Sequence, residues 1–440
     1  MFNLLYYKYF HLCKYTTKMK ITTYTFIALL CILLCNTSAS VAQERAENTV
    51  SVKGRVIDDD SGKPLEYASI TINNTNISTV SNKEGFFTLR IPISARNYQL
   101  KVQYLGYINL ATPVITLIDK EDNILRMKAG SIHLSEIEVV SGDGTKLVRE
   151  ALSLVNRNYE NDPNMMVAFY RESIKKGSNY ISLVEAVLDV YKESYKSYRD
   201  DQARIYIGRK ATDINPNDTI FMKFQGGISD ALLLDLAKHP EFVFGENADE
   251  YVFNIENIIT MDNRPHYVIK FQPFPGIQDI LFRGTIYLDV ESLAFKRVEF
   301  NMNVEDQKDA ANIFIRRKPS SMRVTAESAS YIVEYVENDG KWYFNYSSTA
   351  VKFRVRWKQR FFGLFASTYT IFSEIAVTDR YEEPVQRFAR KERIRSSDVI
   401  AEKVEHFINP EFWGDYTVIE PDKEITNAIK KLSDKLQRRD

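Results

Sequence analysis

Residues 329–358, ASYIVEYVENDGKWYFNYSSTAVKFRVRWK, alternate polar and apolar side chains on both sides of Asn338-Asp339-Gly340. A period of two sends successive side chains to opposite faces of a strand. Asn338-Asp339-Gly340 is the residue pattern of a tight hairpin turn, whose central positions take positive φ. Two strands of this length, rich in Tyr, Phe, Trp and Val, need further strands beside them and a covered face to be stable. The same pattern recurs in MMVAFYRESI, YISLVEAVLDVY, PHYVIKFQP, GTIYLDVESLAFKRVEFNMN and TYTIFSEIAVT. We therefore expect residues 145–440 to form a large antiparallel β-rich α+β domain.

Three helices are predicted beside those strands. TKLVREALSLVNRNY places Leu147, Ala151, Leu154, Val155 and Tyr159 on one face. SDALLLDLAKHP is stopped by Pro240, and PDKEITNAIKKLSDKLQ carries the stripe Ile425, Ala428, Ile429, Leu432 and Leu436, with Pro421 at its start. So few helices pose a question about the strands bearing Tyr267, Ile269 and Phe271, and Phe353, Val355 and Trp357. Either the helices suffice and that face is core, or part of it is an apolar groove.

The strand VKFRVRWKQRF sorts its charges by face. Lys352, Arg354, Arg356, Lys358 and Arg360 project from one side; Val351, Phe353, Val355, Trp357 and Phe361 from the other. One reading is a solvated cationic face set against neighbouring acidic strands such as the one bearing Glu334 and Glu337. The other is a strip that binds lipid phosphates or an anionic glycan, and these five cations are the candidate ligand-binding residues.

Residues 47–128 have a different texture: short alternating runs with turn signals every ten residues or so, as in an antiparallel β-sandwich. Within it, SNKEGFF (residues 81–87) poses a choice between a calcium loop and a turn. A calcium loop needs further oxygen ligands and a bidentate Glu near its end. Here Gly85 is followed by Phe86, Phe87, Thr88 and Leu89, so we read Gly85 as a positive-φ turn residue feeding a core strand. Residues 129–144 read as a linker.

The segment GRVIDDDSGKPLEYASITINNTNISTVSNKEGFFTLRIP…YQLKVQYLGY resembles the carboxypeptidase-regulatory-like domain, a small transthyretin-like, immunoglobulin-like β-sandwich. The matching features are Gly54-x-Val56, Gly62-x-Pro64-Leu65, Ala68, the turn through Gly85-Phe86, and Tyr104 to Tyr107. The module is similar to the amino-terminal extension of many TonB-dependent receptors, and Leu134 to Val140 resembles the segment following it there. No receptor plug or barrel follows here, so transport does not carry over. The chain as a whole resembles envelope proteins of Gram-negative bacteria that carry this module. The hairpin GTIYLDVESLAFKRVEF is similar to lipoprotein-carrier sheets, an analogy of fold alone.

The amino terminus reads as a leader. Met1 to Lys18 fits no targeting pattern and reads as a mis-assigned start. Residues 19–42 read as a signal peptide, with FIALLCILLC as the apolar run and Ser40 and Ala42 at the cleavage site, so that Gln43 begins the mature chain. The run is too short for a transmembrane helix. Cys13, Cys31 and Cys35 all precede that site, which excludes disulfides, thiolate zinc and cysteine nucleophiles from the mature chain. The chain has 58 basic and 58 acidic residues; losing Lys8, Lys14, Lys18 and Lys20 leaves 54 against 58. Nucleic acid is not the partner such a balance selects.

Catalytic signatures are sparse. His133 and Glu136 form an HxxE with His266 as a third candidate, but the pair lies on a linker after the sandwich, and no metal, cofactor or catalytic residue is assigned. Glu172, Glu185 and Asp189 are the carboxylates that could form an acid–base pair, with Glu185 expected to be buried against Arg171. Asp218-Thr219-Ile220 fits an O-glycosylation pattern of exported proteins. The reading is a non-catalytic exported envelope accessory or binding protein, periplasmic or associated with the outer membrane. Its sandwich is a docking or stability module, and its partners are outer-membrane components or an anionic lipid or glycan. The alternative is an envelope hydrolase using carboxylates of the larger domain.

Overall fold

Alternation governs both sheets of the amino-terminal module and the large sheet that follows. The computed structural model describes residues 49–437, apart from 119, 121, 131–141, 213–222, 225–226, 246–247, 262–263, 278, 305–309, 318–319, 358–365, 407–412 and 414–415. The proposed leader, Leu134 to Val140 with His133 and Glu136, and Asp218 to Ile220 lie outside the described residues.

The first module contains β1 (Thr49–Asp58), β2 (Ser69–Ile72), β3 (Ser78–Val80), β4 (Phe86–Pro92), β5 (Gln99–Gln103), β6 (Leu110–Pro113) and β7 (Asn123–Met127). They form a β4-β1-β7 sheet and a β3-β2-β5-β6 sheet. Val52, Val56, Phe87 and Leu89 from one sheet meet Ile70, Ile72, Leu100 and Val102 from the other in a common core. The SNKEGFF segment is the turn into β4. Asn82 Oδ1 accepts from the Glu84 and Phe86 amides, both at 2.9 Å. Gly85 has φ +83°, and a Cβ there would stand 2.4 Å from the Val56 carbonyl oxygen. Only glycine meets both conditions.

The second region contains β8 (Asn164–Lys176), β9 (Asn179–Lys192), β10 (Gln202–Thr212), β11 (Lys223–Phe224), β12 (Tyr251–Met261), β13 (Arg264–Pro273), β14 (Phe282–Asp289), β15 (Phe295–Met302), β16 (Ile315–Arg317), β17 (Met322–Asn338), β18 (Lys341–Trp357), β19 (Ala366–Tyr381) and β20 (Glu405–His406). Apart from the short β11–β16 pair, these form one eleven-stranded sheet ordered β12-β13-β14-β15-β17-β18-β19-β8-β9-β10-β20. Its pairings are antiparallel except β10 with β20. The β17–β18 hairpin closes as expected, with Asn338 opposite Lys341 and positive φ at Asp339 (49°) and Gly340 (77°).

One face of this sheet is core. Ile269, Phe271, Phe353 and Val355 are buried there with residues of helices Thr145–Ser153, Val155–Asn158, Gly227–Leu233 and Glu241–Phe244. Burial of a side chain such as Phe353 contributes about 1.5–3 kcal/mol. The second predicted helix ends at Leu233, short of Pro240, and Pro240 instead caps the short helix Glu241–Phe244, which periodicity does not reveal; together they complete the cover, which settles the groove question for these residues in favour of core. The first predicted helix is two, Thr145–Ser153 and Val155–Asn158, and Val148 joins Ala151, Val155 and Tyr159 in burial. The last helix is Lys423–Gln437, with Ile425, Ala428 and Leu432 buried. Its cap is Asp422, whose Oδ1 accepts from the Ile425 amide at 2.7 Å; Pro421 precedes that cap rather than opening the helix.

The opposite, outer face is covered in part by the sandwich. Val80 packs with Val167, Phe169, Val187, Tyr346 and Ala376, beneath Val418 and Ile419. The Tyr67 and Tyr346 rings are 5.5 Å apart. Ser78 Oγ donates to the Val377 carbonyl at 2.7 Å, and Asn76 Nδ2 donates to that of Arg380 at 3.2 Å. The Arg90 amide donates to Thr417 Oγ1 at 3.0 Å. Edge strand β3 is thereby closed against the larger sheet.

Candidate functional site

The cationic strand is the exposed-face half of β18. Lys352, Arg354 and Arg356 are exposed while Val351, Phe353 and Val355 are buried, as alternation predicts. Lys358 and Arg360 lie outside the described residues. Across β19 the strip faces Thr370, Thr368 and Ala366, which leaves that side open to a ligand. On β17, Arg323 is opposite Arg356 and Thr325 opposite Arg354.

The counter-ion comes from the expected strand, β17, which bears Glu334 and Glu337, but from a different residue of it. Glu327 sits where the β17–β18 register shifts between Ala326 and Ser328, and pairs with Lys352 at 3.2 Å and Arg354 at 2.5 Å. Glu334 and Glu337 instead pair with Arg297 and Arg264. Arg323 and Thr325 stand opposite Arg356 and Arg354, so alternation along β17 carries Glu327 to the same face, beside Lys352.

Nearer the sandwich, the outer face carries a buried ladder of charge. Glu374 on β19, Arg171 on β8, Glu185 on β9 and Arg209 on β10 are successive cross-strand partners. Arg171 Nε donates to Glu185 Oε1 at 2.8 Å, and Arg209 Nε donates to Oε2 at 2.8 Å. Arg171 also donates to Glu374 Oε1 at 3.1 Å and to the Ile419 carbonyl at 2.7 Å. Tyr346 OH donates to Glu374 Oε2 at 3.1 Å. Burial acts to raise the Glu185 pKa, but the two guanidiniums outweigh it and hold that carboxyl below its ordinary value. For Glu374 burial wins over Arg171 and the Tyr346 hydroxyl, and its pKa is raised.

The expected Arg171–Glu185 pair is therefore present, and it removes Glu185 from acid–base chemistry. Glu172 points to the other face, where Tyr170 OH donates to its Oε2 at 2.9 Å and burial raises its pKa. Asp189 is held by Arg204 at 2.8 Å. The three carboxylates do not converge.

Two further arrangements bear on chemistry. Lys192 Nζ donates to Asp201 and Asp235, each at 2.6 Å, and Lys238 Nζ reaches Asp201 at 3.0 Å. Tyr195 and Tyr335 hydroxyls donate to Asp235 at 2.8 and 3.0 Å. Sequence reading missed this cluster because its members come from the end of β9, from β17 and from two loops. His266 is buried on β13, its Nδ1 directed at the Arg264 carbonyl (3.0 Å) and its Nε2 at Asp289 Oδ2 (3.9 Å).

Residues 52–139 match the family model of the CarboxypepD_reg-like domain, so the sandwich is a carboxypeptidase-regulatory-like domain. Among solved structures, the chain is similar to a DUF1329 family protein from Desulfovibrio piger, with 14% identity over 56% of this chain and 96% of that one and a TM-score of 0.25. It is also similar to a protein of unknown function from Bacteroides fragilis described as membrane-associated, with 10% identity over 77% of this chain and 100% of that one and a TM-score of 0.15. At these scores neither likeness carries an argument about function. No curated protein matches the chain.

Proposed function

We propose that this chain is an exported, non-catalytic binding or accessory protein of the cell envelope. In this reading the carboxypeptidase-regulatory-like domain is a fixed brace on the large sheet, and the β18 strip meets an anionic envelope component. The observation that carries it is the strip itself: Lys352, Arg354 and Arg356 stand exposed on a rigid strand whose other side is core, with Glu327 as their paired carboxylate among the described residues. Such a surface gathers phosphate or carboxylate groups from solution. The leader-like residues 19–42 and the absence of cysteine from 43–440 support export. Against the hydrolase alternative stands the separation of Glu172, Glu185 and Asp189, two of them ion-paired.

The test is sedimentation with vesicles of phosphatidylethanolamine and phosphatidylglycerol, against phosphatidylcholine alone. The variant carrying Lys352→Gln, Arg354→Gln and Arg356→Gln should lose about 1 kcal/mol of binding per cation removed. Its melting temperature should match the parent, and salt should mimic the change. Equal binding by parent and variant would refute the reading.

A further inference from the structure

We propose that Lys192 and Asp235 form an intramolecular isopeptide bond, which ties the end of β9 to the segment that follows the helix Gly227–Leu233. The two groups are in contact: Lys192 Nζ is 2.6 Å from Asp235 Oδ2, and Asp201 Oδ2 stands at 2.6 Å from the same nitrogen. The Lys192, Asp235 and Asp201 side chains are 3%, 1% and 2% exposed. Ions buried in this way have lost their hydration, and turning two of them into a neutral amide removes that cost. Fixed contact between the reacting groups also replaces a bimolecular encounter with an intramolecular one. Residues 43–440 lack cysteine, so the bond does for the sheet and its helical cover what a disulfide there cannot.

The step balances without a further reactant. At rest the two carboxylates hold Lys192 as an ammonium. One proton passes along the hydrogen bond to Asp235 Oδ2, leaving a neutral amine beside a neutral acid. The amine nitrogen attacks Asp235 Cγ, and a second proton passes from it, by way of Asp201, to the departing Oδ2. The C–N bond forms, the C–Oδ2 bond breaks, one hydrogen stays on the amide nitrogen and water leaves.

The surroundings supply each role. Lys238 Nζ at 3.0 Å and the Glu193 amide at 2.9 Å both donate to Asp201 Oδ1, which keeps Asp201 ionised and able to accept a proton. Tyr335 OH donates to Asp235 Oδ1 at 3.0 Å, where charge collects as Cγ becomes tetrahedral. Tyr195 OH donates at 2.8 Å to Oδ2, the oxygen that leaves. The Tyr159 ring packs on both, with centroids 5.0 Å from Tyr195 and 5.6 Å from Tyr335. Glu193 pairs with Arg387 at 2.8 Å, so its carboxylate does not compete for Lys192.

The full chain should be digested with trypsin under denaturing conditions and its peptides weighed. Lys192 closes the peptide 177–192, and Asp235 lies in the peptide 224–238. Trypsin cannot cut after a linked Lys192, so residues 177–196 should appear joined to 224–238, lighter than their sum by one water. Fragmentation should place the link at Lys192 and Asp235. Asp201→Asn removes the proton acceptor and should slow linkage about a hundredfold or more in freshly folded chain. Tyr335→Phe, which keeps the ring, should slow it about a hundredfold and serves if Asp201→Asn folds poorly. Lys192→Arg should give the unlinked digest. Separate peptides ending at Lys192 in the parent, a link from Lys192 to Asp201, or linkage at the parent's rate in either slowing variant would overturn the proposal.

Discussion

Arg171 and Glu185 face each other across β8 and β9, and the carboxylate is shared: Arg171 holds Oε1 and Arg209 holds Oε2. All three side chains are buried. A buried ion pair adds little net stability over apolar packing, but removing one member leaves uncompensated charge. Glu185→Gln should therefore cost about 3–5 kcal/mol in urea unfolding. Glu374→Gln should stay within about 1 kcal/mol of the parent, because the amide can still accept from Arg171 and hydrogen-bond to Tyr346. Equal costs for the two would show that the ladder is not centred on Glu185.

The same groups set opposite pH slopes. Glu185, and Asp201 between Lys192 and Lys238, are held below the ordinary values of 4.5 and 3.8. Their stabilisation is present above those values and is lost as pH falls through the lowered ones. Glu374 is raised, so its contribution is present at low pH and lost as pH rises through the raised value. Stability of Glu374→Gln, measured from pH 4 to pH 8, should fall less with rising pH than that of the parent. A parallel pair of curves would contradict the assignment.

The brace predicts cooperativity. Val80, at the sandwich edge, is buried among Phe169, Tyr346 and Ile419. Val80→Asp would bury an unpaired carboxylate there. Calorimetry of the parent should show the sandwich and the sheet unfolding together, and the variant should show two transitions. One unsplit transition in Val80→Asp would mean that the contact is not what couples them.

The turn into β4 offers a local test. Gly85→Ala meets both positive φ and the Val56 carbonyl 2.4 Å away, so a loss of about 2 kcal/mol or more is expected, read by thermal unfolding. Calcium or chelator should leave the parent's melting temperature unchanged, since Asn82 Oδ1 is already engaged by two amides. A calcium-dependent shift abolished by Asn82→Ala would restore the ion-loop reading.

What the sequence disclosed follows from the range of each interaction. The hairpin at Asn338-Asp339-Gly340, the faces of β18 and the Gly85 turn are local, and period two or turn chemistry specifies them. The Arg171–Glu185 pair was legible because both residues interrupt apolar runs. Its extension to Glu374 and Arg209 required the strand order β19-β8-β9-β10, which no local pattern contains.

Glu327 is the remaining lever on the strip. It is mostly buried, with 18% of its side chain exposed, and holds Lys352 and Arg354, whose side chains are 50% and 53% exposed. Because it stands on the strip's face of β17, its effect is to neutralise part of the strip. If the strip binds anionic headgroups, Glu327→Gln should strengthen association with phosphatidylglycerol vesicles by several-fold at low salt, in keeping with about 1 kcal/mol per unit of charge near such a surface. The gain should vanish at high salt, where the Debye length shrinks to about 3 Å at 1 M. Thermal unfolding should change by less than about 1 kcal/mol, as exposed pairs contribute little. Unchanged vesicle binding by Glu327→Gln at low salt would leave the strip a solvated face and remove the support it gives to the binding function.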